Sequence, residues 1–291
     1  MARRSLDKLV IFGVGLIGGS FALAVKRAGL AKHVVGVGRS RANMEKALRL
    51  GVIDELAEHT AGALRGADLI LLALPVGQMR RVMRAIAPYL ETHTVVTDAG
   101  STKQDVVAIA RECLAVHLKR FVPAHPVAGA ELSGVGAASA DLFVNKNLVL
   151  TPLAQTDKRV LKQVKDLWEA CGARVSEMTP RQHDEIFAAV SHLPHLLAYA
   201  LMDVIASKPN AAKLLNYAAS GFRDFTRIAG SSPEMWRDIA LANRTTLLNQ
   251  LSVYQKQLKR IADLIRKSDG AALENIFTRA RNARAKWLLD K

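Results

Sequence analysis

The chain has 291 residues, 50% of them hydrophobic and 23% charged, with a formal net charge of +15. That balance fits one large or two ordinary globular domains with a sizeable core. Its two cysteines, Cys113 and Cys171, lie outside any CxxC or His-rich cluster, so neither a disulfide framework nor a zinc module is indicated, and a reducing, cytoplasmic setting is expected.

The basic start MARRSLDKLVIFGVG leads into a glycine turn rather than a long apolar core with a small-residue cleavage site, which argues against export. No stretch approaches the roughly 20 apolar residues of a bilayer span, so no membrane association is expected. Much of the positive excess falls in KRIADLIRKS and TRARNARAKW, where charge alternates with apolar residues at helical spacing. That is the pattern of a solvated helix face, and no nucleic-acid module accompanies it. The positive field suits a small anionic partner.

In chain order, LVIFGVG (9–15) is a buried strand ending in glycines, and LIGGSFALAVKRAG (16–29) has helical spacing with Gly29 as its stop. HVVGVG (33–38), DLILLALP (68–75), HTVVTDAG (93–100) and RFVPAHP (120–126) continue the series of short strands. None alternates strictly, as expected for strands covered on both faces. Alternation with helices implies βαβ units and a parallel sheet. Beyond about residue 180, HLLAYALMDVIAS, EMWRDIALANRTTLLNQLSVYQKQLKRIADLIRK and AALENIFTRARNARAKWLL carry helical spacing only. Ser232-Pro233-Glu234 is a helix start: a capping serine, a first-turn proline and an acid facing the dipole. The expected fold is α/β: a dinucleotide-binding Rossmann domain over 1–179, then an all-α substrate and dimerisation domain over 180–291. The helical half needs something to cover its apolar faces, and a homodimer through it is expected.

Gly13-Val14-Gly15-Leu16-Ile17-Gly18 matches GxGxxG between a strand and a helix. Gly13 permits the turn, Gly15 admits the pyrophosphate and Gly18 lets helix and strand pack, while the N–H groups opening the helix at Leu16 and Ile17 favour the anion. In this setting the motif indicates dinucleotide binding. Leu74-Pro75, at the end of a later strand, is expected to border the same cofactor. An NAD site usually ends its second strand with an acid. Here Gly38 is followed by Arg39-Ser40-Arg41, which would bind a 2′-phosphate. NADP is favoured and NAD remains possible. The alternative is that the arginines cover the adenine face or cap the next helix.

Three segments look unlike packing. Asp98-Ala99-Gly100-Ser101-Thr102-Lys103 and His125-Pro126-Val127-Ala128-Gly129 follow strands, where open α/β sheets bind ligands. Ser101 and His125 are thus expected near the nicotinamide, although a serine in a GST turn is as often a helix cap. Ser191-His192-Leu193-Pro194-His195 places two histidines three apart, which with His183 and Asp184 could suggest a metal. A nicotinamide enzyme needs none, and no metal is expected. In Gly221-Phe222-Arg223-Asp224-Phe225-Thr226-Arg227, a Gly-led loop could clamp an anion; the plainer alternative is a surface ion pair with Asp224 capping the following helix.

GVGLIGGS, DAGSTK, HPVAGAELSG, SHLPH and GFRDFTRIAGSSPEMWRDI, in that order over roughly residues 9–250, resemble the prephenate/arogenate (cyclohexadienyl) dehydrogenase family. The resemblance implies oxidative decarboxylation of prephenate to 4-hydroxyphenylpyruvate, or of arogenate to tyrosine, in tyrosine biosynthesis. By motif it implies His125 as acceptor of the ring hydroxyl proton, Ser101 beside that hydroxyl, and His195 in the substrate pocket. It implies Arg227 on a substrate carboxylate, with Glu131, Asp224 and Gly221 at the pocket. Gly38-Arg39 departs from the acid of NAD-using relatives. Competing readings are a two-domain β-hydroxyacid or imine reductase, which would place a lysine where this chain has His192 and His195, and a non-catalytic NADP-binding redox sensor, which would have no use for His125, His195 and Arg227.

Overall fold

The computed structural model describes residues 5–129 and 132–289. They form two compact units, Met1–Arg244 and Thr245–Lys291. The first opens with β1 (Leu6–Phe12), α1 (Leu16–Arg27), β2 (Ala31–Val37), α2 (Arg41–Arg49), β3 (Glu55–Leu56), α3 (Thr60–Leu64), β4 (Leu69–Leu72), α4 (Met79–Ile86), β5 (Val95–Asp98), α5 (Gln104–Cys113) and β6 (Phe121–Val122). These strands pair in parallel in the order β3-β2-β1-β4-β5-β6. Leu9, Val10 and Ile11 of β1 are completely buried, because helices cover both faces of a parallel sheet. Phe21 and Trp168 lie on one side with ring centroids 4.6 Å apart, and Val10, Ile70, Met83 and Phe121 lie on the other. The helix α1 ends as its sequence indicates: Gly29 has φ +67° and Leu30 N–H bonds back to Val25 C=O, a glycine-closed turn.

The expected strand 120–126 is two strands. β6 stays in the main sheet, while β7 (Ala124–Pro126) leaves it for a second sheet with β8 (Asn147–Leu150) and β9 (Arg174–Glu177), preceded by α6 (Lys158–Ala170). β7 pairs with β8 antiparallel, so the sheet structure is not wholly parallel. Pro123 separates the two strands; it has no N–H to donate, and its carbonyl accepts from Thr151 N–H at 2.9 Å. The chain can therefore change sheets there without orphaning a donor.

α7 (Pro180–Phe187) starts at a reciprocal cap: Thr179 Oγ1 accepts from Gln182 N–H, and the Gln182 side chain accepts from Thr179 N–H. It runs through a π turn (Ala188–His192) into α8 (Leu193–Ala206). The wide turn relieves the backbone just before Pro194, which cannot donate within the helix. The continuous helix Pro180–Ala206 has 27 residues and is long and apolar enough by composition to cross a membrane, contrary to the sequence expectation. Its buried polar residues His183, Asp184 and His192 are nonetheless held in place by protein groups, the signature of a helix packed into a polar site. α9 (Ala211–Asn216), α10 (Ser220–Thr226) and α11 (Pro233–Ala242) complete this unit, α11 starting at the Ser232 cap.

The second unit holds most of α12 (Arg244–Arg266), and α13 (Gly270–Leu289). Its basic residues Lys259, Arg260, Arg279, Arg281 and Arg284 are exposed, as are Leu248, Val253, Phe277 and Trp287.

Gly18 shows how tightly the first turn is built. A Cβ there would stand 2.2 Å from Gly13 C=O and 2.9 Å from Ile11 Cγ2. Gly18→Ala is expected to push α1 off β1 and cost about 1–3 kcal/mol, measured as a lower urea midpoint at unchanged slope.

Candidate active site

The carboxyl ends of β1, β4 and β5 meet where the strand order reverses, the usual ligand crevice of such sheets. After β1, Gly13 has φ +91° and comes so close to the β4 loop that a Cβ would sit 2.2 Å from Ala73 C=O. Leu74 and Pro75, in that loop, are half-buried. At Gly15 a Cβ would have no described atom within 4 Å. Gly15 precedes α1 without a side-chain cap, so the first N–H groups of the helix, from Leu16 and Ile17 onward, are available to an anion. Turn, close packing and open glycine thus fall on the three positions that a dinucleotide site requires.

At the end of β2, Gly38 is enclosed by Met44: a Cβ would stand 2.4 Å from its Sδ. No carboxylate can occupy that position without displacing Met44. Ser40 caps α2 by accepting from Asn43 N–H at 3.3 Å, so its hydroxyl has a structural duty as well as any binding one. The exposed Arg39 lies 3.9 Å from Glu234, and Arg41 pairs with Glu45 at 2.9 Å. Asn43 Nδ2 donates to Val14 C=O at 2.9 Å and ties this segment to the glycine turn.

The segment after β5 is anchored by its two ends. Asp98 and Lys103 are both completely buried and form an ion pair. Asp98 also accepts from Gly100 and Ala124 N–H at 2.8 and 3.0 Å, and the Lys103 ammonium donates to Ala124 C=O at 2.7 Å. Ser101 is half-buried between them.

Ala124 leads directly to His125, which is 8% exposed. His125 Nδ1 lies 2.8 Å from His183 Nε2, and His183 Nδ1 lies 2.8 Å from Asp184 Oδ1. Asp184 in turn accepts from Lys103 N–H at 2.8 Å and Gln104 N–H at 2.9 Å, at the start of α5. Phe187 closes the group, its ring 4.7 Å from that of His125 and 4.5 Å from that of His183. Burial pushes His125 well below the ordinary imidazole range, with His183, Lys103 and His192 adding in the same direction. Burial also lowers His183, against the opposing pull of Asp184. Burial acts to raise Asp184, but hydrogen bonds from His183, Gln104 and Lys103 outweigh it and hold the carboxyl below its usual range.

The π turn and α8 present the next two histidines. Asn243 Nδ2 donates to Asp184 C=O at 2.9 Å and lies 3.2 Å from His192 Nδ1. Since a carbonyl only accepts, the amide orientation follows, and His192 carries its proton on Nε2. Its pKa is lowered to about 4, mainly by burial. His195 Nδ1 donates to Ser191 C=O at 2.9 Å, and its ring stacks on Trp236 with centroids 3.6 Å apart. Burial lowers its pKa, the Ser191 bond opposes, and the nearby Arg227 charge adds to the lowering.

The segment Gly221–Arg227 is not the expected loop. It is α10, continued by a tight turn over Arg227–Gly230, and the helix that follows is capped by Ser232 rather than Asp224. Gly221 and Asp224 are exposed on α10, as is Arg227 just after it. Glu131 lies outside the described residues. Nothing in the sequence marks Trp236 and Asn243, since an aromatic and an amide at helical spacing look like ordinary packing. The sequence marks His183 and Asp184 only as metal-ligand candidates, whereas each bonds the other and its own protein partners.

A dinucleotide turn and a buried histidine cluster at the carboxyl ends of neighbouring strands fit a nicotinamide-dependent oxidoreductase with general-base capability. Comparison makes this specific. The family description "Prephenate dehydrogenase, nucleotide-binding domain" matches residues 21–177, and "Prephenate dehydrogenase, dimerization domain" matches residues 179–279. Prephenate dehydrogenase of Bacillus subtilis is 38% identical over 96% of this chain and 75% of its own length. Cyclohexadienyl dehydrogenase of Zymomonas mobilis is 36% identical over 95% and 94%. The solved prephenate dehydrogenase of Aquifex aeolicus, in complex with hydroxyphenyl propionate and NAD+, is 36% identical over 98% of this chain and 99% of that one, with a TM-score of 0.91. The chain belongs to the prephenate dehydrogenase family. It is an NAD(P)-dependent enzyme of tyrosine biosynthesis that catalyses the oxidative decarboxylation of a prephenate-type acid.

A histidine with a depressed folded pKa is neutral in the native state, while its unfolded counterpart takes up a proton below pH 6.5. Stability therefore falls as pH drops from 6.5 toward the folded value. With His192 lowered to about 4, that residue alone should remove about 2 kcal/mol between pH 6.5 and about pH 4.5. Urea unfolding across this range should be steeper in pH for the wild type than for His192→Gln; equal slopes would contradict the assignment.

Proposed function

We propose that His125 is the general base of the reaction, with Ser101 and His195 as its catalytic neighbours. What chiefly supports this is the engagement of His125 Nδ1 with His183, which leaves Nε2 as the ring atom available to substrate. Arg227, beside His195, binds a carboxylate of the substrate, and Gly221 and Asp224 border the same pocket. A guanidinium suits that role because it offers a two-pronged, permanently charged donor. Gly13, Gly15, Leu16, Ile17 and Gly18 hold the pyrophosphate, with Leu74, Pro75 and Ser101 along the rest of the cofactor.

In this mechanism the substrate hydroxyl donates to His125 Nε2. When bound, the oxidised nicotinamide accepts the hydride from the ring carbon that bears this hydroxyl. As the hydride leaves, His125 takes the hydroxyl proton and the C–O bond becomes a carbonyl. Loss of CO₂ then sends an electron pair through the ring to that oxygen, which recovers its proton from His125. The proton is thus borrowed and returned, and the aromatic product keeps its hydroxyl. The protein's share is alignment, proton handling and charge matching.

Gly38 and the flanking Arg39, Ser40 and Arg41 favour NADP over NAD, since a 2′-phosphate meets Gly38 in place of the usual acid and can draw Arg39 and Arg41 from Glu234 and Glu45. The proposed division places the nucleotide-binding domain at 1–179 and the helical substrate domain at 180–291. The exposed Leu248, Val253, Phe277 and Trp287, with the dimerization-domain match, support a homodimer through the helical part. A cytoplasmic location fits a biosynthetic enzyme whose two cysteines, Cys113 and Cys171, lie outside any CxxC pair.

Initial rates of nicotinamide reduction, with prephenate and arogenate each offered NADP+ and NAD+, test the whole reading. Turnover is expected with at least one acid, and kcat/KM should be higher for NADP+; preference for NAD+ would overturn the cofactor assignment. His125→Asn should lower kcat about a hundredfold or more, and Arg227→Ala should act mainly on KM, by roughly tenfold. Because His125 titrates below the usual imidazole range, kcat/KM should fall only as pH drops below about 6.5. Gly15→Ala has room to fold and should keep the wild-type melting temperature while losing about tenfold in cofactor affinity; unchanged affinity by fluorescence titration would remove Gly15 from the site.

A further inference from the structure

Two buried ionisable residues, His183 and Asp184, have no role in the mechanism above, yet they connect the base to the rest of the protein. We propose that they are positioning residues which fix the tautomer of His125 and hold the charge it acquires. The inference rests on His125 being the base.

The hydrogen-bond directions follow from Asp184 outward. Both of its oxygens accept backbone N–H groups, from Lys103 and Gln104. A carboxylate so placed at the start of α5 is an acceptor only, favoured further by the helix dipole. The His183 nitrogen 2.8 Å from Asp184 Oδ1 must then carry a proton. A neutral His183 with its proton on Nδ1 has a bare Nε2, and that atom lies 2.8 Å from His125 Nδ1. His125 must therefore donate from Nδ1, which leaves its own Nε2 as a lone pair. Reversing any one proton in this chain would set two donors or two lone pairs against each other in a buried site. One carboxylate at a helix N-terminus thus decides which nitrogen of a ring two bonds away can act as base.

The same chain can carry charge. When His125 Nε2 takes the hydroxyl proton, its Nδ1 proton can pass to His183 Nε2. The imidazolium then forms on His183, whose Nδ1–H faces the Asp184 carboxylate, and the transfer reverses when the ring oxygen recovers its proton. No proton is gained or lost overall. This suits a reaction in which the proton is needed again within the same turnover. Other charges face the chain: Lys103 and His192 disfavour a cation on His125, and Lys103 disfavours one on His183 while Asp98 and Asp184 favour it. Asp184 is the acid that bonds His183 directly, so its removal is the decisive perturbation.

The test is ¹⁵N spectroscopy of labelled histidine in the intact enzyme, paired with kinetics. At neutral pH, wild-type His125 should be protonated on Nδ1 and bare on Nε2. Asp184→Asn should shift it toward the opposite tautomer, lower kcat about a hundredfold with KM changed less than about threefold, and move the acid limb of the kcat profile to lower pH. His183→Gln, which leaves the α5 cap in place, should also lower kcat and release the His125 tautomer. A wild-type His125 protonated on Nε2, or wild-type kcat and tautomer in a folded Asp184→Asn enzyme, would overturn the proposal. If instead His125→Asn retains full turnover, the base assignment fails, and the wild-type spectrum still decides the hydrogen-bond chain by itself.

Discussion

Lys103 is the residue on which the site is assembled. An ammonium with no solvent exposure is tolerable only when paired and fully hydrogen-bonded. Asp98 at the end of β5 supplies the countercharge, and the Ala124 carbonyl, just before His125, accepts a further bond. Asp98 also holds the Ala124 N–H. The main-chain N–H of Lys103 meanwhile binds Asp184 on α7. One residue therefore fixes three things at once: the turn carrying Ser101, the strand carrying His125, and the helix carrying His183. Breaking a buried pair of this kind typically costs about 3–5 kcal/mol, because the surviving charge has no water to return to. The arrangement makes a weak contribution to net stability and a strong one to geometry, which a hydride-transfer site requires.

The π turn extends this logic along the helix. Without it, Pro194 would leave a carbonyl unpaired within an ordinary helix and set the two histidines on a regular spacing. With it, His192 turns toward Asn243 while His195 stacks on Trp236. Two histidines three residues apart thus acquire different partners and different proton positions, Nε2 for His192 and Nδ1 for His195. This is why the spacing that hints at a metal describes instead two separately tethered rings.

The parts of the fold that repeat a general physical requirement were legible in the sequence. The glycine turn shows itself because steric demand singles out Gly13 and Gly18 and openness singles out Gly15. The central strands show themselves through uninterrupted apolar runs, and Ser232 through cap chemistry. What stayed hidden depends on tertiary context. RFVPAHP reads as one strand because nothing local says that Val122 and Ala124 belong to different sheets. GFRDFTR reads as a loop because its glycine and aromatics are poor helix formers, yet Ser220–Thr226 is helical and rests against α8. Helix 180–206 hides its length by carrying three histidines and an Asp-Glu pair, although long-range bonds from α5 and Asn243 anchor Asp184 and His192 Nδ1. His183 and Asp184 are adjacent in sequence, but their task is set by a strand nearly 60 residues earlier.

The electrostatic design separates binding from proton transfer. Prephenate-type acids are anions, and an imidazolium could attract them, but a histidine charged in the ground state has no lone pair with which to act as base. Burial therefore keeps His125, His183, His192 and His195 below the ordinary imidazole range. In the proposed site, attraction falls to the Arg227 guanidinium and to the net charge of +15 over the whole chain. The local fields reinforce the separation, since the charges of Arg227 on His195 and Lys103 on His125 both disfavour protonation. The cation proposed for an anionic substrate, Arg227, thus also helps keep His195 neutral. In the proposed relay Asp184 supplies the needed exception, a buried carboxylate bonded directly to His183, so that a positive charge forms there only while the reaction is under way.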